Sequence, residues 1–152
     1  MKDPSDNIRD WLYNVMLGTI TYGGDYIPVY SFPPRDAAMP YIVIGEQMMS
    51  GEDESTKDSW LTEHEVTIEV WDSYTGNDGS YVKVNSIAND ILELIRTRSL
   101  TVTGSGGESI AGITGWTVVR LTAEAMLTDR FLWDNNIIIY KSLNIRLLLE
   151  ES

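Results

Sequence analysis

Two segments of the chain carry apolar residues three and four positions apart, which is the period of an α-helix with one buried side. These segments span residues 4–17 and 80–97. The two apolar stripes consist of Ile8, Trp11, Leu12, Val15 and Met16, and of Val84, Ile87, Ala88, Ile91, Leu94 and Ile95. The spacing predicts two amphipathic helices, each packed through one face.

Other segments are typical of β-strands. In residues 60–71 the even positions are mostly apolar and include His64, while the odd positions include Glu63, Glu65 and Glu69. Such alternation predicts a strand with one buried and one solvated face. Further strands are predicted at 27–30, 39–49, 100–103, 116–128 and 137–149. In the last two, the odd positions form the predicted apolar face, including Val119, Leu121, Ala125 and Leu127 in the first of them.

The order of these elements favours an α+β fold. The segment Asp134-Asn135-Asn136 separates the last two strands and has the composition of a hairpin turn. We therefore expect an antiparallel or mixed β-sheet with two helices packed on one face and a long C-terminal β-hairpin. A chain of 152 residues is the usual size of one compact domain, so residues 1–152 are predicted to form a single domain.

Charge and composition exclude several classes of function. The chain has a formal net charge of -12, from 23 acidic and 11 basic residues. Binding to nucleic acid through phosphates is disfavoured, since it requires clustered Lys and Arg. The chain has no cysteine, which excludes disulfides and thiolate metal sites. No stretch approaches the roughly 18 apolar residues of a membrane span, and no apolar signal core is present, so a soluble protein without a membrane partner is expected.

The residues offer little catalytic chemistry. His64, the one histidine, lies on the apolar register of its strand and is predicted to be packed and hydrogen-bonded. Asp72, Asn77 and Asp78 resemble a cation-binding loop in composition. They lack the order of oxygen ligands that a calcium site requires. The glycine-rich segment 104–107 has no Lys-Ser/Thr pair to hold a phosphate. We expect no catalytic site, no metal and no cofactor.

Interaction surfaces are better supported. Nine acidic residues lie between Glu46 and Asp72, against Lys57 alone. They form either a solvated face or a surface that repels nucleic acid or meets a basic partner. Trp71 interrupts the acidic face of its strand, and two further aromatics lie at the hairpin tip, so aromatic anchors for a protein partner are predicted there. The candidate interface residues are Glu52, Asp53, Glu54, Trp71, Phe131 and Trp133.

The order of motifs resembles that of a bacteriophage family. A short N-terminal helix and a Pro-rich extended piece precede Met39-Pro40-Tyr41-Ile42-Val43-Ile44-Gly45-Glu46. A polar loop then leads to His64-Glu65-Val66-Thr67-Ile68-Glu69-Val70-Trp71-Asp72, followed by a Gly/Asp loop and a helix. Over about residues 4–98 this series is similar to the tail-completion or tail-terminator proteins of long-tailed phages.

The resemblance implies a structural protein of the virion. The resemblance also implies that the chain forms a ring, typically of six copies, on the head-proximal end of the tail tube. Such a ring contacts the tail tube protein and the head connector, and DNA passes through its lumen without specific binding. Assembly in the host cytoplasm is implied as well.

Two alternatives remain open from the residues. The acid cluster also fits a small cytoplasmic binding module that inhibits a partner by mimicking nucleic acid. An enzyme that uses carboxylates near Asp72 is the third possibility.

Overall fold

The structure is a computed structural model of the chain, and it describes residues 3–51, 61–75, 79–103, 113 and 116–151. In chain order, its elements are α1 (Ser5–Met16), β1 (Thr21–Tyr22), β2 (Asp25–Tyr26), β3 (Val29–Tyr30), β4 (Tyr41–Gly51), β5 (Leu61–Thr75), α2 (Val82–Thr103), β6 (Trp116–Trp133) and β7 (Asn136–Glu151). Strands β1 and β2 form a small ribbon. The main sheet has the order β3-β4-β5-β7-β6.

This architecture confirms the predicted α+β fold. All neighbours in the main sheet are antiparallel except β3 and β4, so the sheet is mixed. The long C-terminal hairpin closes through a two-residue turn in which Asp134 and Asn135 have φ of 48° and 63°. Positive φ at both central positions is the geometry of a type I′ turn, which Asn and Asp tolerate better than most residues do.

The periodic patterns correctly predict which faces are buried. Every predicted residue of the α1 stripe is buried, as are Val84, Ile87, Ala88, Ile91 and Ile95 of α2. In β5 the even positions from Thr62 to Asp72 are buried, and their neighbours on β7 are the odd-numbered residues, which are apolar except for Lys141. Both helices pack on this one face of the sheet. The buried residues of the helices and of the strands beneath them form one continuous hydrophobic core.

One predicted strand is wrong. Residues 100–103 have the β-branched composition of a strand, but they form the last turn of α2. A strand needs a neighbouring strand to satisfy its backbone groups, whereas a helix that has already formed extends by one hydrogen bond per residue. Extension of α2 therefore overrides the local preference.

The predicted face of β6 is wrong in part. Val118 and Leu121 are both buried because a bulge between Val118 and Arg120 shifts the alternation by one residue. A second bulge follows between Ala125 and Thr128. At this bulge Ala125 and Leu127, which were predicted to be covered, are exposed, as is the whole segment 124–133. The pattern alone cannot show that this half of the hairpin lies outside the helical layer.

Hydrogen bonds made by two side chains join α1 to β4. The Arg9 guanidinium donates to the carbonyl oxygens of Ile44 at 2.5 Å and Gly45 at 2.7 Å, and to the Gln47 side chain at 3.3 Å. In return, Gln47 donates to the carbonyl oxygen of Ser5 at 3.0 Å. These contacts lie at a register shift between Ile44 and Gln47, where the regular ladder with β5 is interrupted.

Gly45 at this shift has a steric reason. A Cβ added there would lie 3.1 Å from both the Thr67 carbonyl oxygen and the Glu69 carboxylate. Because the first of these is backbone, it cannot move aside cheaply. The Gly in the motif noted above therefore lets β4 approach β5 closely at the bulge.

We expect Arg9→Ala to lower the free energy of unfolding by about 1–2 kcal/mol, because it leaves the β4 carbonyls without their donor. Arg9→Lys keeps the charge but loses the planar fork, so it should recover only part of this loss. Urea unfolding of the three proteins measures both effects. Full recovery by lysine would contradict a role for the guanidinium geometry.

Candidate interaction surface

The face of the main sheet opposite the helices has two chemically different ends. The odd positions of β5 point to this face and alternate with the buried even positions. At one end it carries Glu63, Glu65 and Glu69, of which Glu65 forms a 2.9 Å ion pair with Arg146 on β7. At the other end it carries Trp71. This half-exposed surface is called the bare face below. It consists of the odd positions from Glu63 to Trp71 of β5 and the side chains beside them on β4, β6 and β7.

Aromatic rings cluster at the Trp71 end of the bare face. Trp71 and Tyr140 are directly opposite each other on β5 and β7, and their rings stack at 4.8 Å with an interplanar angle of 20°. Phe131 of β6 meets Trp71 edge-on at 6.1 Å and Tyr140 at 6.2 Å. The Trp71 indole N–H donates to Glu69 at 2.8 Å, so the acidic and aromatic ends are joined.

Two grooves border this aromatic cluster. One, of about 450 Å³, lies between the cluster and the carboxylates of Glu46 and Glu69. The other, of about 660 Å³, runs from the cluster to Trp133 at the hairpin tip and to the segment from Arg35 to Met39. Trp133 is 68% exposed, a large apolar surface for an isolated chain.

The structure brings together half of the candidate interface residues. Trp71, Phe131 and Trp133 all line the larger groove. Glu52, Asp53 and Glu54 lie outside the described residues, so their predicted role stays a prediction. Tyr140 was missed because nothing local marks it, whereas Glu46 was counted in the acidic cluster but not among the candidate interface residues. Tyr140 acquires its position only when hairpin pairing sets it across from Trp71.

Strand β6 forms a free edge of the main sheet. It is the last strand in the order, and within the described residues no other strand pairs with its outer side. Its distal half exposes large apolar side chains: Met126, Leu127, Phe131, Leu132 and Trp133. An exposed edge strand presents unpaired backbone N–H and C=O groups, and it is a template for pairing with another chain.

The buried polar residues of β5 have structural partners. His64 is 1% exposed and lies 2.8 Å from the Thr62 hydroxyl, which confirms the packed, hydrogen-bonded histidine. Asp72 is also buried, and its Oδ2 lies 3.8 Å from the Lys83 ammonium of α2. Burial raises the pKa of the nearby Tyr74 hydroxyl, and the Asp72 carboxylate raises it further. Asn77 and Asp78 of the suggested cation loop lie outside the described residues.

Burial lowers the pKa of His64, although the nearby Asp3 carboxylate opposes the shift. The folded protein then binds fewer protons than the unfolded chain, so stability should fall as the pH drops below 6.5, the value of an unperturbed histidine. We expect His64→Gln to flatten this dependence between pH 7.5 and 5.5, as followed by urea unfolding. Since His64 is the one histidine of the chain, an unchanged slope would assign the dependence to carboxylates instead.

Comparison with known protein families identifies the chain. The family described as tail completion protein gp17 matches residues 6–125, which is most of the chain. The chain belongs to this family. The match extends the resemblance noted over residues 4–98 into β6, the strand with the free edge.

Membership gives the protein a structural role in the phage tail, and it places the protein in the virion among other structural proteins. Among solved structures, a chain described as from the virion of a native gene transfer agent (GTA) particle superposes with a TM-score of 0.46. Its sequence identity is 14%, and the superposition covers 95% of this chain and 91% of that one. Individually curated proteins gave no match. The family assignment depends on the sequence match alone.

The described residues contain no group of three or more His, Asp or Glu side chains positioned to hold a metal ion. No helix in this part of the chain is long and apolar enough to cross a membrane.

Proposed function

We propose that this tail completion protein forms a ring, of six copies, that caps the head-proximal end of the tail tube and joins the tail to the head connector. The observation that carries the proposal is the free edge of β6 with its exposed apolar side chains. An edge of this kind is an aggregation hazard in a monomer. Its pairing with a sister copy would remove the hazard and form an assembly interface.

The opposite edge of the main sheet can supply the partner strand. Strand β3 pairs with β4 only at Ile42 and Val43, and farther along β4 the side chains of Met48 and Met49 are exposed. Strands β4, β5, β7 and β6 alternate in direction. Placing β6 of one copy beside β4 of the next therefore continues the antiparallel alternation. Such a head-to-tail contact closes into a ring when the rotation between copies permits.

The bare face suits the wall of a channel for DNA. In a sheet closed by such contacts, the helices occupy one side and the bare face the other. If the helices lie outside, Glu63 and Glu69 face the lumen. Carboxylates there would repel phosphates, so DNA could pass without adhering. A ring whose inner surface carries Lys and Arg instead would contradict this orientation.

Polymerisation of the tail tube protein tests the proposal. Added to growing tubes, the chain should stop elongation at one end, and electron microscopy should show a ring at that end. Light scattering should detect an oligomer alone or with tube protein. A chain that stays monomeric in both cases, or that captures a nuclease and no virion protein, would overturn the proposal in favour of the inhibitor alternative.

A further inference from the structure

The smaller groove on the bare face combines aromatic walls with carboxylates. It is lined by Trp71, Phe131 and Tyr140, with Glu46 and Glu69 beside them. We propose that this groove binds an arginine side chain of a neighbouring virion protein. The inference rests on the proposed function in one respect, because it assumes that a protein partner docks at the aromatic end of the bare face.

The aromatic walls fit a planar cation. Trp71 and Tyr140 are stacked nearly parallel, while Phe131 meets both rings at steep angles, 81° and 61°. The groove is therefore bounded by rings in two orientations. A guanidinium group is planar and weakly hydrated, and it stacks on aromatic faces, with indole the most favourable.

The carboxylates supply an uncompensated negative charge. Farther along the same face, Glu65 is neutralised by Arg146. Glu46 and Glu69 have no such ion pair within the described part of the chain, and none of the residues that line the groove is basic. Charge complementarity therefore favours a cationic occupant. It disfavours phosphate groups of DNA.

Glu69 is also held in place. Its Oε2 accepts the hydrogen bond from the Trp71 indole, so the carboxylate is fixed beside the ring on which a guanidinium would stack. Its Oε1 can accept from the guanidinium at the same time. A fixed acceptor next to a stacking surface favours the forked donor of arginine over the point charge of lysine.

Binding of N-acetyl-arginine-N-methylamide to the ¹⁵N-labelled full-length protein tests the inference directly. The Trp71 indole N–H signal, assigned with Trp71→Phe, should shift on titration while the signals of the other four tryptophans stay in place. The corresponding lysine derivative should bind several-fold more weakly. Equal shifts at all the indoles, or equal binding of the two derivatives, would overturn the inference.

Matched variants locate the site. Glu46→Gln/Glu69→Gln should weaken the apparent affinity about tenfold, because two solvent-accessible ion pairs are lost and each contributes only a few-fold to binding. Glu46 is exposed, so Glu46→Gln alone should fold normally and give part of this loss. Glu63→Gln removes the same charge from the same strand face outside the groove, and it should leave the affinity unchanged. Equal losses in Glu63→Gln would indicate general electrostatic attraction and overturn the site.

These outcomes are separable from those of the proposed function. A chain that caps tail tubes but does not bind the arginine derivative would retain the ring and lose only this inference. A chain that binds arginine through Trp71 but leaves tube growth unchanged would lose the proposed function and retain the groove.

Discussion

Replacing Met126 and Leu132 by lysine is expected to prevent assembly of the ring while leaving the fold of each copy unchanged. Both side chains lie on β6 and are exposed, at 61% and 79%. The double variant therefore removes no packing from the core. Charged residues on an edge strand oppose its pairing with another strand, because the new cations would have to be buried in the contact. We expect the apparent association constant to fall at least about a hundredfold, from two cations at roughly 1.4 kcal/mol or more each.

The control for this experiment uses equally exposed residues elsewhere. Tyr26 on β2 and Val82 at the start of α2 are 67% and 66% exposed, so Tyr26→Lys/Val82→Lys adds the same charge away from the β6 edge. Light scattering should show normal assembly for the control only, and thermal unfolding at a concentration too low for assembly should give equal thermal midpoints for both variants. Normal assembly of the β6 variant would remove the edge from the interface.

The largest effect on stability is expected at the ion pair between β5 and α2. Asp72 is almost fully buried, and no described residue donates a hydrogen bond to its Oδ2, so the Lys83 ammonium at 3.8 Å is its compensating charge. Lys83→Met leaves that carboxylate buried and unpaired. Because Lys83 is itself 29% exposed, we expect a loss of about 2–3 kcal/mol, somewhat below the range for a fully buried pair.

Removing the acidic partner of this ion pair should lower the free energy of unfolding less than removing the lysine does. Asp72→Asn keeps the size of the side chain and removes its charge, while Lys83 remains hydrated and above the Tyr22 ring at 5.4 Å. The double variant Asp72→Asn/Lys83→Met should therefore be more stable than Lys83→Met alone, as measured by urea unfolding. A larger loss for Asp72→Asn than for Lys83→Met would contradict this account. Normal tube capping by Asp72→Asn would in addition exclude the alternative of an enzyme that uses this carboxylate.

The fold and its buried faces could be predicted from the sequence because one-dimensional periodicity reports burial directly. The stripe of α1 and the even positions of β5 keep their period and are buried, and the odd positions of β7 are buried from Leu143 to Leu149, after the interruption at Lys141. The turn at Asp134 and Asn135 was equally local, since residue types that tolerate positive φ mark it. The single buried histidine followed from the same register.

The pattern failed where a neighbour interrupts the period or decides the environment. One extra residue in β6 near Arg120 moves the buried positions from even to odd, and only pairing with β7 reveals the bulge. Residues 100–103 follow the helix before them rather than their own preference. The exposed half of β6 is about as apolar as its other half, so its composition could not distinguish a core strand from a free edge.

The sequence by itself determined the class of fold, the buried faces and the motifs by which the family is recognised, because each depends on residues close together in the chain. The tertiary structure decided which side chains form a surface. Trp71, Phe131 and Tyr140 lie on three strands and meet only through the register of β5, β6 and β7. That register depends on backbone pairing over long separations in the chain, and a periodic pattern within one segment carries no information about it.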